Sequence, residues 1–334
     1  LKEFLNMKQI RLWLALALLG LAVHATAESV MVAAADSSPE NKALANYICD
    51  GVADQVELMA SLDLAPRNAI QMDGTPSSVA IYSNIRSRFS ICWAPGSYNI
   101  SAPVLVPNMA DTVINAQGTY IEFAVTTSTV PAVEIKGMMR CRYNFGTIRS
   151  FSQHAALFVH PTDMPCQMSE VTWQGLNGYN NPRQGVGLWI EPTIGVSTCQ
   201  FRGTDIWGFN GGIFVNDAPT GAKCDTNWFQ VNYIRKCNNC INERGQNVDS
   251  NEWHVNVDAS VANSEGIRTA SKLGRWFITM GTYGYEHVNN ALVVESGATK
   301  NIFEMSPPFA DFNWVNASGN STNRFVDYAV LPTH

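Results

Sequence analysis

Short apolar segments, each led by a small residue or a cysteine, recur along the chain: Ala132-Val133-Glu134-Ile135, Ala156-Leu157-Phe158-Val159, Gly187-Leu188-Trp189-Ile190, Gly212-Ile213-Phe214-Val215, Cys240-Ile241-Asn242, Gly266-Ile267-Arg268 and Ala291-Leu292-Val293-Val294. With the second residue of each as the register mark, successive separations are 24, 31, 25, 28, 26 and 25 residues. A second row of aromatics, Phe145, Trp173, Phe201, Phe229, Trp253, Phe277 and Phe303, runs out of phase with the first at intervals of 28, 28, 28, 24, 24 and 26. Between the rows lie Asn, Gly, Asp and Ser, the residues that tolerate tight and left-handed turns. Asn227, Asn251 and Asn301 each stand two residues before a second-row aromatic, a spacing that predicts a stacked, hydrogen-bonded asparagine ladder.

A fixed period of this length specifies a solenoid whose short strands pair with those of the coils above and below, ~4.8 Å away. The pattern predicts an all-β, single-stranded right-handed parallel β-helix over residues 106–305. Leucine-rich repeats would need their own leucine and asparagine consensus, helical repeats a 3.6-residue period, and propeller blades about 40 residues each. Residues 28–105 read as an N-terminal cap and first coil. There Asp54-Gln55-Val56-Glu57 has capping-box spacing, and Val56, Met59, Ala60 and Leu62 would form the buried face of a helix covering the open end of the solenoid. Pro95-Gly96-Ser97-Tyr98 marks a turn into the first coil, and residues 306–334 read as a C-terminal cap and tail.

Composition narrows the class. The 334 residues carry 22 basic and 28 acidic side chains, a formal charge of -6, and only 15% are charged, which excludes a nucleic-acid binder that works by neutralising phosphates. Lys8 and Arg11, an apolar run from Leu12 to Val23 and Ala25-Thr26-Ala27 have the order of a secretory leader over residues 7–27. No later run reaches the ~18 apolar residues of a membrane span, so a secreted, extracellular or periplasmic protein is expected. Eight cysteines, in an exported chain, permit up to four disulfides; the sequence leaves their pairing open, and Cys237-Asn238-Asn239-Cys240 has no second CxxC to complete a zinc site.

Tyr47-Ile48-Cys49-Asp50-Gly51-Val52-Ala53-Asp54-Gln55-Val56-Glu57-Leu58, followed by Ala94-Pro95-Gly96-Ser97-Tyr98-Asn99-Ile100, resembles the opening of pectate-lyase-like β-helix proteins of the pectin-lyase fold. The resemblance implies a secreted, carbohydrate-related role. It transfers no catalytic residue. The paired-aspartate, Gly-His-Gly and Arg-Ile-Lys signatures of polygalacturonase-type hydrolases are absent, as is the Arg-x-Pro-x-x-Arg stretch of typical pectate lyases, and Asp73 to Arg88 replaces the glycine-rich bridge between the two motifs.

Strand alternation places Glu134, Phe158, Trp189, Phe214, Asn242, Arg268 and Val293 on the outside, with Lys136, His160, Glu191, Asn216, Arg244, Ala270 and Glu295 two residues further on. Exposed rings suit the apolar faces of sugars, so Phe158, Trp189, Phe214, Asn216 and Arg268 are candidate substrate contacts; equally, the rings could pack loops onto the solenoid. Residues 161–186, including Asn177, Tyr179, Asn180, Asn181 and Arg183, would wall such a groove. For a polysaccharide lyase, His160, Lys136 and Arg244 supply a base and cations, with Glu191 and Asp217 as calcium ligands. For a glycoside hydrolase, Glu191 and Asp217 would be the paired carboxylates. A second face carries Glu252, His254, Asn256 and Asp258, with Trp228, Gln230 and Asn232 one coil earlier. The reading is a secreted protein that binds and cleaves a polysaccharide, lyase chemistry being favoured over hydrolysis. Its alternative is a non-catalytic structural, adhesin or carbohydrate-binding β-helix.

Overall fold

The computed structural model describes residues 29–65, 89–178, 183–245, 247–258, 264–280, 288–306 and 313–327. The leader expected over residues 7–27, the stretch from Asp73 to Arg88, and Tyr179, Asn180 and Asn181 lie outside them. The described chain is a parallel β-solenoid of three sheets with thirteen, nine and six strands. One coil shows the plan: Glu170–Gly178 lies in the thirteen-stranded sheet, Val186–Ile190 in the nine-stranded sheet and Val196–Ser197 in the six-stranded sheet. Gln200–Trp207 then returns to the first sheet, parallel to Glu170–Gly178. Among the described residues no helix is long and apolar enough to cross a membrane.

The first row of the repeat is the spine of the core. Val133, Leu157, Leu188, Ile213, Ile241, Ile267 and Leu292 face one another in consecutive pairs across the nine-stranded sheet. All are buried, and each removal of a branched aliphatic from water contributes about 1.5–3 kcal/mol. A column of rings lies inside the thirteen-stranded sheet: Phe201, Phe229, Trp253, Trp276, Phe303 and Phe325 stack in sequence, with Phe229 and Trp253 3.9 Å apart at 7° and Trp253 and Trp276 4.8 Å apart at 2°.

This column corrects the second sequence row at three places. Trp276, not Phe277, faces Trp253, and Phe277 faces His254 on the outside. Phe145 and Trp173 belong to the next inward column, two residues along, while Tyr143 and Val171 occupy the positions in line with Phe201. Positions two apart in a strand point to the same side, so spacing alone does not separate neighbouring inward columns. The coil pattern also continues beyond Phe303, where the sequence repeat weakens: Arg324–Asp327 and Trp314–Asn316 pair in parallel with Ile302–Ser306 and Val288–Val294.

The bend from the six-stranded to the thirteen-stranded sheet uses one left-handed residue per coil: Asp111, Arg140, Met168, Thr198, Thr226, Ser250, Leu273 and Lys300, with φ between 48° and 58°. None is glycine, although this conformation costs an L-residue about 1–2 kcal/mol. The next residue helps to hold the bend. Asn227 Oδ1 accepts from the Cys199 amide, Asn251 Oδ1 from the Asn227 amide, Asn301 Oδ1 from the Gly274 amide and Asn323 Oδ1 from the Asn301 amide, each at 2.7–3.0 Å. The expected ladder is therefore present in two runs, Asn227 with Asn251 and Asn301 with Asn323. Ser169 takes the same position earlier, accepting from the Cys141 amide.

At the N-terminal end, Gln55–Asp63 is a helix, but its buried face is Gln55, Leu58, Ser61 and Leu62, whereas Val56 is exposed. Asp54 makes no capping bond to it. Its carboxylate instead accepts from the Gly51 and Asn99 amides at 2.9 and 2.7 Å, tying the helix start to the strand Gly96–Ile100. Residues 161–186 are not a free-standing wall, because they contain the strands Cys166–Gln167 and Glu170–Gly178; Arg183 donates to the Lys236 carbonyl.

All eight cysteines are unbridged, against the expectation of disulfides, and seven of them are buried. For two of the possible pairs stacking gives the reason. Cys166 and Cys224 lie two coils apart with Val196 between them, and Ser169 similarly separates the levels of Cys141 and Cys199. Two spacings of ~4.8 Å exceed the ~7 Å that a disulfide can span between Cα atoms. Burial pushes the Cys199 and Cys237 thiols up to about 12, so both are protonated at neutral pH.

One inward position carries an acid. Glu243 stands between Val215 and Thr269 and is fully buried. Its carboxyl accepts from Asn251 Nδ2, Trp253 Nε1 and Thr269 Oγ1 at 3.0–3.3 Å. Burial raises its pKa, and the hydrogen bonds oppose that rise without cancelling it. A carboxyl raised in the folded state stabilises the fold fully below its unfolded value, near ~4.3, and that contribution is lost as pH rises through the folded value. Glu243→Gln is therefore expected to be more stable than the parent at neutral pH, the difference closing towards pH ~4. Urea denaturation across that range checks it; a parent already the more stable at neutral pH contradicts the assignment.

Candidate functional site

The predicted outward rows form on the nine-stranded sheet. Glu134, Phe158, Trp189, Phe214, Asn242, Arg268 and Val293 pair in consecutive register. The amides of His160, Glu191, Asn216, Arg244 and Glu295 each bond back to the preceding coil, stacking the second row beside the first. The five residues proposed for catalysis do not converge. From Lys136 to Arg244 is four coils, or ~19 Å, too far to act on one bond.

Their local partners divide them further. Lys136 and His160 both face Glu134 Oε1, at 3.4 and 3.3 Å, and form a charge cluster near the N-terminal end of the row. Asp217 stands one residue beyond the row, is exposed, and accepts from the Asn247 amide at 3.0 Å. It anchors that turn. Glu191 and Asp217 belong to no cluster of three or more potential metal ligands among the described residues; one such cluster, Cys49 with Asp54 and Glu57, lies at the N-terminal end.

The ring ladder is real but only partly open. Phe158 is 5% exposed and packs with Ala155 and Val186, under Trp189. His154 covers both rings, stacked on Trp189 at 4.7 Å and edge-on to Phe158 at 4.6 Å. Phe158 thus supports the ladder instead of offering its own face, whereas Trp189 and Phe214, 6.4 Å apart, remain partly exposed.

Five of the predicted residues do come together. Trp189, Phe214, Asn216, Arg244 and Arg268 line one cavity of about 460 Å³, joined by Asn210, Asn239, Asn242 and Glu265. Arg268 is fixed by Glu265 through two bonds of 2.6 and 3.0 Å and by Glu295 at 2.7 Å, and these acids raise its pKa. Arg244 is held differently. Its Nε donates to Asn242 Oδ1 at 2.8 Å, and among the described residues no carboxylate pairs with it. The additional residues carried a readable signal: Asn242 is in the outward row, and Asn239 and Glu265 pair with each other at the starts of neighbouring strands. Asn210 precedes a strand, where alternation gives no side.

Two rings, four asparagine amides and an arginine without an acidic partner can stack a sugar ring, bond its hydroxyls and pair with a carboxylate. Comparison with known proteins finds no matching family model, curated protein or solved structure.

Burial lowers the His154 pKa, against the opposing effect of Glu134 and Glu191. Trp189→Ala uncovers the imidazole and is expected to bring its NMR titration midpoint back up towards the ordinary ~6.5. An unmoved midpoint would show that the Trp189 ring does not bury His154.

Proposed function

We propose that this is an exported carbohydrate-binding β-solenoid that holds an acidic polysaccharide along the nine-stranded sheet. The observation that carries the reading is Arg244, a guanidinium without a carboxylate partner among the described residues, set in a cavity of rings and amides. A uronate carboxylate would complete it with two parallel charge-assisted bonds. Trp189 and Phe214 would carry the apolar ring faces, and Asn216, Asn239 and Asn242 the hydroxyls. The net charge of -6 makes this a local recognition, since the chain as a whole repels polyanions.

A right-handed coil is supported by the near-universal handedness of parallel crossovers. The role of helix Gln55–Asp63 as a cap is supported by Leu58 and Leu62, which join the core at the N-terminal end. Likeness to pectate-lyase-like proteins rests on the Tyr47–Leu58 and Ala94–Ile100 motifs together with the parallel coils, and export rests on the leader pattern over residues 7–27.

Binding is the function the geometry supports best, because the proposed catalytic groups are spread along a row. The test is affinity electrophoresis on polygalacturonate, alginate and an uncharged glucan, with 235 nm absorbance and reducing ends followed in parallel. Retention by a uronate polymer without product is expected. Arg244→Gln should weaken it about tenfold or more, as the loss of a charge-assisted pair does, and Trp189→Ala should weaken it as well. Equal retention of Arg244→Gln and parent would sink the proposal, and unsaturated or reducing ends would move it to a lyase or a hydrolase.

A further inference from the structure

The thirteen-stranded sheet presents a separate surface with its own geometry. Gln230, His254 and Phe277 stand in register on three successive coils. The His254 imidazole stacks on Phe277 at 4.4 Å and meets Trp228 edge-on at 5.8 Å. Arg202 lies over Trp228 at 5.2 Å and Arg275 over Phe277 at 4.6 Å, closing the flanks. Between Val231 and Ile234 the strand Trp228–Arg235 has one residue more than its neighbour Glu252–Asp258, so Asn232 and Tyr233 both reach solvent, Tyr233 at 50% exposure. Bulges re-aim side chains in this way beside functional surfaces.

Two hollows of about 240 and 400 Å³ meet at Gln230 and Asn232. Two polar atoms on their linings are buried without a hydrogen-bond partner: Gln230 Oε1 and Asn256 Oδ1; the Trp173 indole lies beneath, on the inward side of the sheet. Trp173 itself is only 3% exposed. Gly203 makes room for that ring, since a Cβ there would overlap the Trp173 indole. Two acceptors left unpaired are unfavourable in the free protein, and a ligand hydroxyl can donate to either.

Charge defines the ligand further. Arg202 pairs with Glu170, Arg235 with Asp205, Arg275 with Glu304 and His254 with Glu252. Each of these three arginines has a carboxylate partner, unlike Arg244. We propose that the surface is a second saccharide-binding groove, specific for a neutral, polyhydroxylated glycan strand that packs on the exposed Tyr233 ring and hydrogen-bonds Gln230 and Asn256. This groove does not depend on the acidic-polymer reading.

Calorimetric titration of the full chain with cellohexaose, xylohexaose and mannohexaose tests it. At least one is expected to bind. Tyr233→Ala, which removes the exposed ring, and Thr279→Trp, which fills the groove from an exposed position, should each weaken that binding about tenfold or more. Trp189→Ala and Arg244→Gln should leave it unchanged. Absence of binding by all three sugars, or equal loss in Trp189→Ala, overturns the proposal. Should Tyr233→Ala lose its β-sheet circular dichroism, Thr279→Trp decides alone, and unaltered affinity in that variant overturns the proposal too.

Discussion

Parallel hydrogen bonding between successive coils is the constraint from which the rest of the molecule follows. Each strand repeats the register of the one before, so a side chain's neighbours are its counterparts a coil away rather than its neighbours in sequence. Like stacks on like: leucines on isoleucines, tryptophans on phenylalanines, asparagines on asparagines. A ring at Trp189 therefore builds a surface only because Phe158 and Phe214 lie in line with it. The same constraint prevents convergence. Groups in one row meet only their immediate neighbours, which is why Lys136 and Arg244 belong to different places despite sharing a row.

Much of this was legible because two periods act together, about 25 residues along the chain and two within each strand. The core spine from Val133 to Leu292 and the outward row from Glu134 to Val293 both follow from them. What stayed hidden depends on contacts across the period. Trp276 and Phe277 are adjacent, both aromatic, and only pairing with Trp253 or His254 decides which points inward. Phe158 reads as exposed by alternation, yet His154, from the preceding turn, lies on it. Glu243 occupies an inward position where composition argues against a carboxyl, and its donors Asn251, Trp253 and Thr269 come from other strands. The left-handed bends were expected at Asn, Gly, Asp or Ser. Arg140, Met168, Leu273 and Lys300 fill several of them, because inter-coil bonds at the following residue sustain the conformation.

The two outward surfaces divide recognition by charge. On the nine-stranded sheet, one guanidinium is left without an acidic partner beside Asn242, while Arg268 is neutralised by Glu265 and Glu295. On the thirteen-stranded sheet the cations cover aromatic rings and are matched by acids, leaving the polarity to the Gln230 and Asn256 amides. Since a coil contributes a strand to each sheet, both surfaces lengthen together as coils are added, and their spacing is set by the same backbone.

The unbridged cysteines have a mechanical corollary. With no covalent rivet from one level to another, cohesion along the axis comes from interstrand amide bonds, stacked rings and the asparagine runs. Tension pulling the C-terminal strand Arg324–Asp327 away sideways would break its contacts with Ile302–Ser306 before loading anything deeper. Such a body peels one level at a time and yields gradually, as a zipper does, whereas a cross-linked rod of similar length would resist and then fail at once.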